Sequence, residues 1–476
     1  MKLFISHKRI YIFICFFIFM FNGCNIFNKG EIRMTDIRMI KRLEEFPSNS
    51  IITPGIENKM LNYSFWTSKL HDGKGLVMNS KDIKQFNEET IRKADTVYNL
   101  QQYKESLSKK ELSAFIKEYK FTDKMKVDDE GKQIKKDFLD SLIKNTNLEG
   151  IKEENKIEYG MSIKKLQVRG FPTEAGTYES ADSNLDRFQE TSCEPCEAVL
   201  ILHKSKDKKW YFIQTYNYRG WVKAEGIAIA KDKKTVFDYI NSENFVIVTG
   251  NHVTIDKNVK ENNKYNEVFN MGNKISLVAN GEVFDKYNRQ YYVLNLPLKT
   301  EEGYLGFKES LIAKGKDIVE GYLPYTRENI IKQAFKLQGE KYDWGNKFSG
   351  RDCSSFIADI YKTFGIMLPR NAGDQESSHG KHYKFDETES VEERNKILDN
   401  LSPGAAIFSP GHVMMYLGKI DGVHYMIHDF LAYGKKIEDK YVAVPVAAVA
   451  VTSTLLTVSS GVPYIRKFSS AVQFEN

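Results

Sequence analysis

The chain has 476 residues, 41% hydrophobic and 13% aromatic, with a net charge of +6. That length exceeds what one core serves, so roughly two to four domains are expected. The positive charge is Lys-rich and spread along the chain; with no zinc-finger spacing, phosphate-binding Gly loop or basic stripe interleaved with aromatics, a nucleic-acid partner has no footing.

At the N-terminus Lys2, Lys8 and Arg9 precede an uncharged apolar run over 10–21, then Asn22-Gly23-Cys24. A basic start and a run too short to span a bilayer read as an export signal rather than a permanent membrane helix. Cys24 after a small residue resembles a bacterial lipoprotein signal, which implies lipidation at Cys24, removal of residues 1–23 and a membrane-anchored, exported chain. Residues 24–48 lack a period and read as a tether.

Over 49–155 the pattern is helical. Ser108 and Glu111 form a capping box ahead of Leu112, Phe115, Ile116 and Tyr119 on one stripe, and Phe138, Leu139, Leu142 and Ile143 mark another helix. Short β runs then follow at 198–202, 210–213 and 220–222, with an echo at 274–278, 291–294 and 303–305. They predict two small SH3-like barrels, 156–232 and 233–320. Trp210, Tyr216, Tyr218 and Trp221 are candidates for a ligand-binding surface, unless the tryptophans are core. Cys193 and Cys196 precede a strand rather than a helix and lack further zinc ligands, so a local disulfide or two spectator thiols is expected.

The remainder, 321–476, reads as an α+β domain. A helix from Tyr325 carries Ile330, Ile331, Ala334 and Phe335. A second has Asp352 as N-cap and Phe356, Ile357, Ile360 and Phe364 on one face, and Gly365 stops it. Strands follow at 405–408, 412–417 and 423–428, and the apolar stretch 442–456 reads as buried strand. Cys353, the only cysteine after Cys196, sits in the first turn of the second helix, where the peptide dipoles favour thiolate. A thiol nucleophile needs an imidazole. His379 and His382 lie in a polar interval, whereas His412, His424 and His428 lie on neighbouring strands. A two-residue Asp421-Gly422 turn would set His412 opposite Leu431 and send His428 to the other side. A five-residue loop pairing Leu417 with Val423 would set His412 opposite His428, with Cβ atoms about 5 Å apart. The second register is expected.

Asp352-Cys353-Ser354-Ser355, Leu368-Pro369-Arg370, Gly411-His412-Val413 with Tyr416, and Ile427-His428 resemble the NlpC-type cell-wall cysteine peptidases, papain-like enzymes acting on peptidoglycan stem peptides. The resemblance implies Cys353 as nucleophile, His412 as base, His428 as third polar residue and Tyr342 beside the nucleophile. It also implies substrate contacts at Asp352, Ser354, Trp344, Arg370 and Asn371. Members of this architecture are γ-D-glutamyl-L-diamino acid endopeptidases, some with an SH3-like domain closing the cleft and an acidic residue after the Pro-Arg pair that binds a free L-Ala amine; here that position is Asn371. The expected partners are peptidoglycan or muropeptides and, through Cys24, the membrane, with no metal or organic cofactor and a monomeric chain. The alternatives are an inactive cell-wall-binding lipoprotein and an amidase or acyltransferase on the same fold.

Overall fold

The computed structural model describes residues 51–255, 267–315 and 317–476, with 257–258 as backbone alone. The export signal, Cys24 and the tether lie outside the described residues. No described helix is long and apolar enough to cross a membrane.

Among the described residues a one-turn helix, Tyr63–Thr67, and three longer ones precede the first barrel: α1 Ser80–Lys93, α2 Lys109–Lys117 and α3 Lys136–Asn145. Asn79 and Asp82 cap α1 reciprocally, and Ser108 and Glu111 cap α2, the latter as the sequence predicts. The segment is helical as expected, yet it is not a domain with a core of its own. Met60, Trp66 and Phe86 are buried in the core of the last domain, among Phe356, Ile357 and Ile427. Leu107, Leu112 and Ile116 are instead buried against the first barrel. Burying a side chain such as Phe86 contributes about 1.5–3 kcal/mol, so this segment joins the two units it packs against.

The first barrel is a seven-stranded sheet of β1 Glu158–Ser162, β2 Leu166–Arg169, β3 Gln189–Cys193, β4 Ala198–Lys204, β5 Trp210–Gln214, β6 Arg219–Lys223 and β7 Ile227–Ile229, in the order β3-β2-β6-β5-β4-β1-β7. Trp210 and Trp221 are both core, so the expected aromatic surface loses both. Cys193 and Cys196 are free, buried thiols in two different apolar clusters, which rules out the local disulfide.

Helix α4 Lys233–Ile240 leads into the next module. Its strands include β8 Phe245–Val248, β9 Lys274–Ser276, β10 Tyr291–Lys299, β11 Leu305–Ala313 and β12 Ile318–Glu320. They are spread over small sheets, one ordered β9-β8-β12 and another built on the β10–β11 hairpin.

The last domain opens with α5 Arg327–Lys336 and α6 Cys353–Lys362, which pack on a six-stranded antiparallel sheet. Its strands are β13 Lys381–Lys384, β14 Ala406–Ser409, β15 His412–Ile420, β16 Val423–Ile437, β17 Lys440–Ser453 and β18 Ser470–Gln473, ordered β13-β18-β14-β15-β16-β17. The stretch expected as buried strand is β17, which becomes buried from Val446 onward.

Candidate active site

Helix α6 begins at Cys353 because its cap is complete. Asp352 accepts the Ser355 N–H at 3.0 Å, and the Ser355 hydroxyl accepts the Asp352 N–H at 2.9 Å. Two orphan donors of the helix start are thereby satisfied, and the thiol is fixed in the first turn. Across the sheet, Pro410 and Gly411 (φ +74°) turn β14 into β15, so His412 is the first residue of its strand, paired with Ser409. Cys353 and Val413 are buried in one cluster, and the Val413 backbone favours the Cys353 thiolate, so the mouth of α6 lies against the start of β15.

The expected five-residue loop does not occur. Ile420 pairs with Val423 across an Asp421-Gly422 turn in which both residues have positive φ (+47° and +81°), the backbone a two-residue hairpin needs. That turn alone would send His428 to the wrong side. A bulge at Leu417 corrects it: Gly418 pairs with Tyr425, but Tyr416 pairs with Met426 and Met415 with Ile427. One extra residue on β15 restores the parity, and His412 and His428 become diagonal neighbours on one face. The hairpin turn was legible in the sequence; the bulge was not.

The result is a relay. His412 Nε2 and His428 Nδ1 are 2.7 Å apart, and His428 Nε2 lies 2.9 Å from Thr452 Oγ1. If His412 is to take a proton from a thiol on Nδ1, its Nε2 must carry the hydrogen and donate to His428, whose own Nε2–H then donates to Thr452. Phe430 stacks on the His428 ring at 4.3 Å and Tyr464 meets it edge-on at 5.3 Å. Tyr464 also lies 6.4 Å from the His412 ring and senses the charge of Cys353. Thr452 and Tyr464 escape a sequence reading, because they come from β17 and a short turn beyond it. His424 lies on the same face as His428 but serves Tyr416, whose hydroxyl is 2.8 Å from Nδ1.

The electrostatics correct the expectation of a standing thiolate. Burial, then the Asp352 carboxylate, push the Cys353 thiol up to about 12, against the Val413 backbone and the Arg370 guanidinium. Burial likewise takes His412 down to about 4 and His428 well below its ordinary range. At rest the thiol and both imidazoles are neutral, beside the ion pair of Asp352 and Arg370. Tyr342 is half-buried, and desolvation, then any charge on Cys353 and that of Asp352, raise its hydroxyl far above the usual range, so it stays a neutral donor beside the thiol.

The remaining predicted site residues divide into two groups. Arg370 is buried and saturated. Its nitrogens reach Asp352 Oδ2 at 2.7 Å, Asp352 Oδ1 at 3.1 Å, Ser354 Oγ at 2.8 Å and Thr191 Oγ1 at 2.6 Å. The polar atoms of Arg370 and Asp352, with the Ser354 hydroxyl, are thus committed to one another and to the first barrel. These bonds hold the cap of α6 in place. Trp344 and Asn371 are partly or fully exposed; the Arg187 guanidinium covers the Trp344 ring at 5.3 Å, and Asn371 Nδ2 reaches Asp374 at 3.2 Å.

Residues 339–444 match the NlpC/P60 family, and residues 176–223 match the SH3 domain of SH3b1 type. The last domain is an NlpC/P60 domain. It follows an SH3b domain in a multi-domain chain of papain-like architecture. Over 93 residues the chain is 34% identical to the bifunctional muramidase/DL-endopeptidase CwlT of Bacillus subtilis (strain 168), covering 19% of this chain and 26% of that protein. Over 99 residues it is 30% identical to dipeptidyl-peptidase 6 of Lysinibacillus sphaericus, covering 21% and 32%. The chain thus spans only about a quarter to a third of the curated relatives it matches. An NlpC/P60 endopeptidase from Photobacterium damselae subsp. piscicida superposes with a TM-score of 0.70 over 90% of this chain and 100% of its own, at 19% identity, which establishes a common fold.

Proposed function

We propose that this chain is a cysteine endopeptidase that hydrolyses peptidoglycan stem peptides, cutting the γ-D-glutamyl-L-diamino acid bond. The observation that carries the reading is the ordered His412–His428–Thr452 relay beside a thiol fixed at a helix start. His412 Nδ1 removes the thiol proton as the sulfur attacks the amide carbonyl, and the negative oxygen is met by the Cys353 N–H and the Tyr342 hydroxyl. Collapse expels the amine, which takes the proton from His412 and leaves a thioester. A water then attacks, with His412 again as base, releasing the carboxylate and the free thiol.

Trp344 and Asn371 line the substrate side in this reading. The acidic group missing at Asn371 is supplied by the first barrel: Glu190 of β3 accepts the Tyr218 hydroxyl at 2.6 Å, and the neighbouring Gln189 donates to the Gly345 carbonyl at 2.8 Å. Burial raises the Glu190 carboxyl, and an incoming ammonium would return it to its charged form. The barrel thereby closes the cleft and selects a free amine. The module over 233–320 acts as a second SH3-like unit, and a lipid at Cys24 holds the chain at the outer membrane surface facing the wall.

The test is digestion of defined muropeptides, with and without a free N-terminal L-Ala, read by mass spectrometry. A cut between D-Glu and the diamino acid that disappears in Cys353→Ala is expected. An unaltered digest across several stem types would sink the reading.

A further inference from the structure

Asp429 follows His428 on β16, and strand alternation turns it to the opposite side, where Ile427 and Val449 pack with α6. Its side chain is fully buried, and neither carboxyl oxygen has a hydrogen-bond partner among the described residues. The groups that face it come from three places. Glu340, Tyr342 and Asp343 lie on the segment after α5, Arg351 and Asp352 precede α6, and Cys353 opens that helix.

The cations there are already committed. Arg351 reaches both Glu340 oxygens at 2.8 and 2.9 Å and Asp359 at 2.8 Å, and Arg370 holds Asp352. Asp343 spends one oxygen on the N–H groups of Phe348 and Gly350. Asp429 is the carboxyl left over. An unpaired buried carboxylate costs several kcal/mol, and such a group takes up a proton instead. Burial, followed by Glu340 and Asp352, shifts Asp429 in that direction.

We propose that Asp429 is a positioning residue that serves the reaction as a neutral acid, its proton being what lets Cys353 carry the negative charge of the attacking thiolate. The inference rests on the reading of Cys353 as nucleophile. Two negative charges cannot form cheaply in this setting, so thiol and carboxyl titrate as a coupled pair, each ionisation suppressing the other. Once Asp429 loses its proton, its charge opposes that of the sulfur, and the remainder of the thiolate forms only at higher pH.

The test uses the full chain and Asp429→Asn. Infrared difference spectra at neutral pH should show a protonated-carboxyl band in the wild type that is missing from D429N. Iodoacetamide alkylation of Cys353 against pH should rise in two coupled steps in the wild type. In D429N it should rise in one, with a midpoint lower by about one unit. Superimposable alkylation curves, or no carboxyl band in the wild type, would overturn the proposal. If D429N does not fold, Asp429→Leu, similar in volume and uncharged, must give the same single step. Neither measurement involves a wall peptide. A chain that shows both signatures yet cuts no muropeptide would refute the peptidase reading and leave the coupling standing.

Discussion

The mouth of α6 and the turn from Cys193 to Cys196 hold thiols that burial treats alike. Cys353 and Cys196 are both pushed up to about 12, and Cys193 is raised well above its ordinary range. What differs is the company. Cys196 meets the Tyr239 hydroxyl, and Cys193 meets Ser162 and Glu197, none of which takes a proton from a thiol and returns it to an amine. Cys353 lies by the start of β15, where His412 begins a chain of ordered hydrogen bonds. In the proposed reading, then, resting acidity does not set Cys353 apart from Cys193 and Cys196; a proton acceptor with a fixed tautomer does.

The sharpest way to break the comparison is Cys353→Ala, which should lower muropeptide turnover by about 10⁴-fold or more. His428→Ala should follow at about 10²–10⁴-fold in kcat, because His412 then loses the acceptor that fixes its ring. Arg370→Met leaves Asp352 as an uncompensated buried charge and should cost about 3–5 kcal/mol in denaturant unfolding. A pH series tests the neutral imidazoles. His412 is depressed to about 4 from 6.5, so the unfolded chain binds more protons in that window. Stability should be full above pH 6.5, fall as pH drops towards 4, and fall less in His412→Gln by thermal melts. The smallest effect belongs to Cys193→Ala with Cys196→Ala, about 1 kcal/mol each with the muropeptide cut retained. A double variant that loses the cut would erase the contrast.

Much of the site was legible in the sequence because its signals are local. Asp352, Ser355 and the apolar face of α6 announce the helix start, and Pro410-Gly411 and Asp421-Gly422 announce turns. The bulge at Leu417 carries no signal of its own, being a compromise between a tight turn and the need to keep both strand faces packed. The bonds from Arg370 to Asp352, Ser354 and Thr191 carry no local signal either, because Thr191 lies in the first barrel. The helical residues before Leu107 also looked self-contained, although their apolar positions are completed by strands hundreds of residues later.

That last arrangement has a kinetic side. Thr53 Oγ1 bonds the Val451 carbonyl at 2.8 Å across 398 residues, and Asn476 Nδ2 reaches the Asp82 carbonyl at 3.2 Å. Residues 53–93 therefore find their place only after β17 and β18 exist, and contacts of such sequence separation form slowly. Until then Trp66 and Phe86 have no core to enter, and the surface they will cover on the last domain stays open. The surroundings of Cys353 are therefore not complete before β17 and β18 have been made. In a protein of this reading, that delay would withhold the peptidase from any substrate met on the way out.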